Sequence, residues 1–285
     1  MKRLLNIITG LLLSIAALAQ YDPQYSHNMF NQMTVNPGYA GSSDMIGINL
    51  LHRNQWMGVP GAPVNTVFSV NAPVNLFDKA WGAGLTILQN TQGIPTDLGL
   101  RGSFAYQRKV EIGDGKVGFG LSFGFINSSA DWSKLSFGDA NETLITARTK
   151  ESKIAFDMGA GVYYKTDKVY LGVSTTHPIT TDYGFTGIPS GAYSITPNFY
   201  ITAGYYYQLD DPMYQLAPSV FLQTNAGYTT LNVNTNLIYN NRIWGGMSLR
   251  SNGDLTALFG LELMTGIKFG AAYDFSAGQS GSLSN

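Results

Sequence analysis

From position 116 to 126 the chain reads K-V-G-F-G-L-S-F-G-F-I, an alternation of large apolar with small or polar residues. In an extended strand successive side chains point to opposite sides. Val117, Phe119, Leu121, Phe123 and Phe125 therefore share one face, and Lys116, Gly118, Gly120, Ser122 and Gly124 share the other. A strand buried on both faces would be apolar throughout, so period two here means two different environments. A soluble sandwich would pack the greasy face on a second sheet, whereas a membrane barrel would turn it to lipid and the small, polar face to the lumen.

The same pattern recurs almost without pause. It predicts about thirteen strands, near 45–53, 64–72, 80–89, 97–109, 115–127, 153–165, 168–177, 198–208, 213–225, 229–239, 242–250, 254–263 and 265–275. Arg101, Asp157, Arg250, Glu262, Lys268 and Asp274 all fall at the parity opposite the apolar set of their own strands. A charge facing the bilayer centre costs about 2–4 kcal/mol, and one facing a wet lumen costs little. Connection lengths alternate too. The 73–79 segment, the turn at 111–114, Thr166-Asp167, 209–212, Asn240-Asn241 and Met264 make one short set, while the two longest connections, 128–152 and 178–197, both fall in the other. Barrels alternate short inner turns with long outer loops, and a sandwich has no reason to. Tyr163, Tyr164, Tyr170, Tyr205, Tyr206, Tyr207, Trp81 and Trp244 lie where girdle aromatics would sit. The expectation is an all-β transmembrane antiparallel β-barrel over 45–275. About 14 strands are expected, because an even number returns the chain to its starting side, with the last lacking. Residues 276–285, S-A-G-Q-S-G-S-L-S-N, read as a flexible, truncated end.

Composition fits this picture. Charged residues make up 12% of the 285, against about 25% in ordinary soluble domains, yet mean hydropathy is near zero. Alternation reconciles the two, since only every second barrel position meets lipid. Residues 1–19 stand apart: Lys2 and Arg3, a mostly apolar run, then Ala17-Leu18-Ala19 before Gln20. This is a secretory signal peptide cleaved near Ala19, the alternative being a lone membrane helix. Taking Lys2 and Arg3 from the 17 basic residues leaves 15 against 18 acidic ones, a formal charge of −3 with no call on nucleic acid. The absence of cysteine removes disulfides and thiolate metal sites.

Candidate chemistry is sparse. Residues 20–44 contain Asp-Pro and Asn-Pro-Gly breaks with Tyr21, Tyr25, Met29, Phe30 and Tyr39. That is too apolar to float free, so this segment is expected to plug the lumen or pack at the periplasmic mouth. The pairs Gly82/Gly84, Gly118/Gly120 and Gly159/Gly161 lie inside strands with no following helix, which removes the phosphate-loop reading and leaves gaps for something larger. His27, His52 and His177 have no ligand-like spacing, so no metal or cofactor is expected. Ser174 and His177 fall on opposite faces of a strand and make no local dyad. Arg53, Gln55 and Trp56 form either a partner-recognition surface or a tether, with Arg53 satisfied by Asp22, Asp44 or carbonyls and Trp56 fixing the first loop. The loop with Asp131, Trp132, Lys134, Phe137, Asp139, Asn141 and Glu142 is exposed enough to carry function, and Trp132 would pack over the mouth or meet a protein.

Several ordered runs resemble a known family. Asp22-Pro23-Gln24-Tyr25-Ser26, Met29-Phe30-Asn31, Asn36-Pro37-Gly38-Tyr39-Ala40-Gly41, Arg53-Asn54-Gln55-Trp56 and Gly61-Ala62-Pro63 look like the N-terminal signature of the PorP/SprF family. The likeness continues through 159–164, 170–174, 216–220 and 244–250, almost the whole chain after the leader. The family consists of outer-membrane proteins associated with the type IX secretion system of Bacteroidetes. The resemblance implies contacts with outer-membrane lipid, the periplasmic secretion machinery and secreted surface proteins, including gliding adhesins. Family members end in a Gly-Ser-His-Glu type closing strand, which does not follow Tyr273-Asp274 here. The leading expectation is a non-enzymatic secretion component, followed by a channel for a small or hydrophobic solute and then by an outer-membrane hydrolase.

Overall fold

The computed structural model describes residues 22–132, 150–185, 194–225, 227–264 and 266–275. The strands are β1 (Gly47–Asn54), β2 (Val64–Leu76), β3 (Lys79–Thr91), β4 (Pro95–Val110), β5 (Gly115–Asp131), β6 (Lys150–Lys165), β7 (Val169–Thr176) and β8 (Thr181–Asp182). They continue as β9 (Ser194–Ile195), β10 (Asn198–Tyr205), β11 (Tyr207–Gln208), β12 (Tyr214–Thr224), β13 (Thr229–Tyr239), β14 (Ile243–Arg250), β15 (Leu255–Met264) and β16 (Ile267–Phe275). Fourteen of these build one antiparallel sheet, running in chain order from β1 to β16, with β8 and β9 paired separately. β11 is the continuation of β10. Tyr207 pairs with Leu216 in the same register that pairs Gly204 with Ser219, and Pro218, with no N–H to give, interrupts the ladder between them. Among the described residues the chain therefore crosses the sheet thirteen times, as the alternation predicts.

This sheet is the wall of a transmembrane barrel with polarity reversed relative to a soluble protein. On β13, Thr230, Asn232, Asn234 and Asn236 are buried while Leu231, Val233 and Leu237 are exposed. Phe119, Leu121, Phe123, Phe125 and Phe156 make the same outward belt on β5 and β6. Arg101, Asp157 and Arg250 are buried inside. Large apolar side chains facing outward all around a sheet need hydrocarbon to cover them. Among the described residues no helix is long and apolar enough to cross a membrane.

Four differences from expectation have physical causes. Pro73 lies within β2, because β1 pairs only as far as Asn71 and leaves the ladder position beside Pro73 open. β5 and β6 stay paired out to Asp131 and Lys150, well into the span expected as loop. Far-end residues after β7 form the β8–β9 pair, and Tyr183 and Phe185 pack there on Ile126, Ala130 and Ala155, with Trp132 against them. Tyr163, Tyr170 and Trp244 are not girdle aromatics: they point inward and are buried. The outward aromatics at the near end, where β1 starts, include the Trp81–Tyr106 and Tyr214–Tyr239 pairs on neighbouring strands, each with centroids within 5.3 Å. The expected leader, the loop residues Lys134, Phe137, Asp139, Asn141 and Glu142, and the 276–285 end lie outside the described residues.

Candidate functional site: the plugged lumen

Residues 22–42 lie inside the barrel, and 43–46 lead out of it to β1, with Asp44, Met45 and Ile46 exposed. The inner residues hold only short helical turns, Asn28–Phe30, Gln32–Val35 and Pro37–Tyr39, since Asp22-Pro23 and Asn36-Pro37 forbid a longer helix. Most of their carbonyls therefore need partners from elsewhere. The lumen wall supplies them. Gln107 Nε2 donates to Gly38 O and Ala40 O at 3.1 and 2.6 Å, and Arg101 Nη1 to Thr34 O at 3.1 Å. Gln223 Nε2 reaches Asp22 O at 3.2 Å, Asn49 Nδ2 reaches Phe30 O at 3.0 Å, and Arg53 Nη1 reaches Gln24 O at 2.6 Å. In return Asn36 Nδ2 donates to Val162 O of the wall at 3.0 Å, and its Oδ1 caps Gly38 N–H at 2.9 Å.

The plug touches backbone as well as side chains, and glycine permits this. A Cβ at Gly82 would meet Ala40 O, one at Gly84 would meet Met33 Cε, one at Gly118 would meet Gly38 O, one at Gly120 would meet Pro37 and Gly38, and one at Gly161 would meet Asn36 Oδ1. The strand glycines thus leave room for residues 33–41. Gly159 does not take part; a Cβ there would meet Ser122 Oγ and Thr175 O of the wall.

At the far end of the plug a charged network closes. Asp22 Oδ1 lies 3.0 Å from His177 Nε2, and Asp22 Oδ2 accepts from Tyr200 Oη at 2.6 Å and Thr176 Oγ1 at 2.9 Å. His177 Nδ1 lies 2.7 Å from Asp157 Oδ1, and Asp157 Oδ2 accepts from Arg101 Nε at 2.8 Å. The segment is thereby anchored to β4, β6, β7 and β10. Burial alone raises the Asp22 carboxyl, but the His177 charge and the bonds from His177 and Tyr200 outweigh it and hold the group below the ordinary carboxylate range. Burial alone lowers the His177 imidazole, which lies just past β7, yet Asp22 and Asp157 lift it to about 9.

The residues expected from sequence divide as follows. Asp22 and Pro23 line the far-end junction, beside a small cavity of about 80 Å³. Phe30 packs on Trp244 with ring centroids 5.3 Å apart. Asn31 Oδ1 accepts from Thr34 and Asn49. Asn36 and Pro37 are buried against the glycine stripe. Arg53 is a tether, but its acidic partner is Asp274 at 2.7 Å. Asp22 is committed to His177, and Asp44 reaches Lys116 instead. With its amide oxygen turned to the guanidinium, Gln55 accepts from Arg53 Nη1 at 3.1 Å. Trp56 is 54% exposed in the β1–β2 loop. Trp132 stays apart from the plug, edge-on to Phe185 at 6.1 Å.

His177 was not expected in this site. The spacing from Ser174 puts it on the lipid face, but its φ of 52° breaks the alternation and turns the ring inward. Both ring nitrogens are then occupied by carboxylates, so neither is left to activate Ser174. Among the described residues no three His, Cys, Asp or Glu side chains are grouped to hold a metal ion. Gln107, Gln223 and Asn49 were legible as inward-facing, but nothing in the sequence marked them as donors to the plug.

Comparison with curated proteins finds no match. A family described as type IX secretion system membrane protein PorP/SprF matches residues 17–285. The chain, inverted barrel, tethered plug and all, belongs to the PorP/SprF family of type IX secretion system membrane proteins.

Proposed function

We propose that this protein is a non-enzymatic outer-membrane barrel that binds or anchors secreted surface proteins of the gliding-adhesin type, or the periplasmic machinery that delivers them. The observation that carries this reading is the filled lumen: the plug takes hydrogen bonds from β1, β4 and β12 and docks on the glycines of β3, β5 and β6. A lumen so occupied supports a scaffold for protein partners over a conduit for solutes. In this reading residues 1–19 direct export and are cleaved near Ala19, the near end with its short turns faces the periplasm, and the far end with Trp132 faces outside. Arg53 and Gln55 serve the barrel, whereas exposed Trp56 and half-buried Trp132 are the aromatic anchors offered to partners.

Deleting the gene is expected to remove a defined set of proteins from the cell surface while others still appear. Surface display and secretome indistinguishable from the parent strain would overturn this role. The purified barrel in a planar bilayer is expected to be non-conducting, and steady conductance with matching solute uptake would favour transport instead.

A further inference from the structure

At the far end β6 outruns its neighbour. It stays paired with β5 out to Lys150, but its pairing with β7 stops where Gly159 faces Thr176. Continuing that register would bring Ile179 opposite Phe156, and the left-handed turn at His177, with φ at 52°, carries the chain away instead. Met158 O, which accepts from His177 N–H at 3.0 Å, is the last group of this edge to be met. In an antiparallel strand the N–H and C=O of one residue point to the same side, and those of the next residue to the other. Ser152, Ile154 and Phe156 therefore turn theirs to the open side, where no strand meets them among the described residues.

A slot lies beside this edge. It is a cavity of about 240 Å³ lined by Ile126, Ala155, Met158, Pro178, Ile179 and Ile195. Sites for whole small ligands begin at roughly 300 Å³, so this one suits side chains and not a molecule. Asp157 and His177 also line it, but they are bonded to each other, to Arg101 and to Asp22. On the outer face of the strand Ile154 is 72% and Phe156 54% exposed. Lys150 and Lys153 stand exposed toward its far tip.

We propose that this edge binds a short extended segment of a secreted protein, added as a strand antiparallel to β6. The unmet backbone groups select a strand, because they recur at every second residue and another extended backbone repeats at the same interval. Hydrocarbon cannot satisfy them. An edge with large apolar side chains on its outer face is a template for such pairing. Residues directly opposite one another in paired strands point to the same side. The guest residue facing Ala155 therefore enters the slot and is apolar, while those facing Ile154 and Phe156 lie outward. An antiparallel guest ends beside Lys150 and Lys153, which favours carboxylates at its C-terminal end. The inference rests on the secretion role and orientation proposed above, and it names the part of the client that the outer end would hold.

The test is calorimetric titration of the full detergent-solubilised barrel with the peptide acetyl-Thr-Val-Thr-Val-Thr-Val-Glu-Glu. Saturable binding with Kd on the order of 0.1–1 mM is expected. Two N-methylated forms of the peptide separate strand pairing from greasy adhesion, each blocking one alternate set of its amides. One form should lose binding more than ten-fold and the other should keep it, since a strand pairs through one side only. Ile154→Pro removes an N–H that faces the open side and leaves the β5 ladder whole. It is expected to keep the folded band on a gel and to weaken binding at least ten-fold, whereas Ile154→Val should bind as the parent does. No saturable binding by about 5 mM, equal effects of the two N-methylated forms, or undiminished binding by Ile154→Pro would each overturn the proposal. A dimeric barrel that Ile154→Pro converts to monomers would assign the edge to a second copy and overturn it too. Failure of the peptide to bind, with a defined set of proteins still lost from the surface on gene deletion, defeats this inference alone. Binding of the peptide, with display unchanged by deletion, defeats the secretion role alone.

Discussion

His177 occupies a backbone conformation that non-glycine residues seldom adopt, with φ at 52°. The ring bonds to Asp157 and Asp22 hold it there. Replacing it with phenylalanine would leave buried Asp157 and half-buried Asp22 each short of a partner, at a cost of about 3 kcal/mol. The expected result for His177→Phe is a large drop in the temperature at which the fast-migrating folded band converts to the unfolded one on a gel. The pH dependence follows in sign from the two shifts. His177 is raised from 6.5 to about 9, so its contribution is complete below pH 6.5 and is lost as pH rises through about 9. Asp22 is lowered from 3.8, so its contribution is complete above that value and is lost only in stronger acid. The conversion temperature should therefore be highest between about pH 4 and 6.5 and fall toward pH 9.5. Asp22→Asn should flatten the alkaline fall, and an unflattened profile would place its cause elsewhere. None of this was readable in the sequence, because parity assigns His177 to the lipid face and only a left-handed residue escapes parity.

The plug and the glycine stripe define each other at the scale of elements. A valine at Gly120 would press on Pro37 and Gly38, in a place where the opposing atoms are backbone and cannot rotate away. Overpacking of this kind costs about 1–3 kcal/mol. Gly120→Val is expected to expose residues 22–42 to added protease while the strands stay protected, and to give the bilayer-reconstituted barrel a measurable conductance. Gly102 is the control. It faces lipid, and a Cβ there makes only an ordinary 3.8 Å contact with Phe123 O, so Gly102→Val should do neither. Equal effects at both glycines would mean that valine simply weakens the sheet. Here the sequence was partly legible: small residues at lumen parity beside an irregular, aromatic-rich N-terminal segment imply that one fills the other. Which carbonyl each amide reaches was not, because Gln107 and Gln223 are equally inward in any register of the plug.

At the scale of the molecule, the thirteen crossings among the described residues leave β1 and β16 as two edges that run in the same direction. Parallelism matters, because neighbours in an antiparallel barrel must oppose one another, and among the described residues no ladder joins these two. What spans them is side chain. Arg53 Nη2 on β1 bonds Asp274 Oδ2 on β16 at 2.7 Å, and Asp274 Oδ1 also accepts from Ser26 of the plug and Thr256 of β15, each at 2.7 Å. The alternation along the strands predicts that Arg53 and Asp274 are each tolerated only on the lumen side, but pairing residues 221 positions apart required the curled sheet. Both groups are largely buried, so the pair should be worth more than a surface ion pair, on the order of 1–3 kcal/mol. A double-mutant cycle isolates it. Arg53→Ala and Asp274→Ala should each lower the folded-band conversion temperature, and the double variant should fall little below the worse single one. Additive losses would show that each residue acts through its own neighbours, Gln24 for one and Ser26 and Thr256 for the other. The two edges would then be held together by the plug between them, and deleting residues 22–44 would separate them even with Arg53 and Asp274 in place.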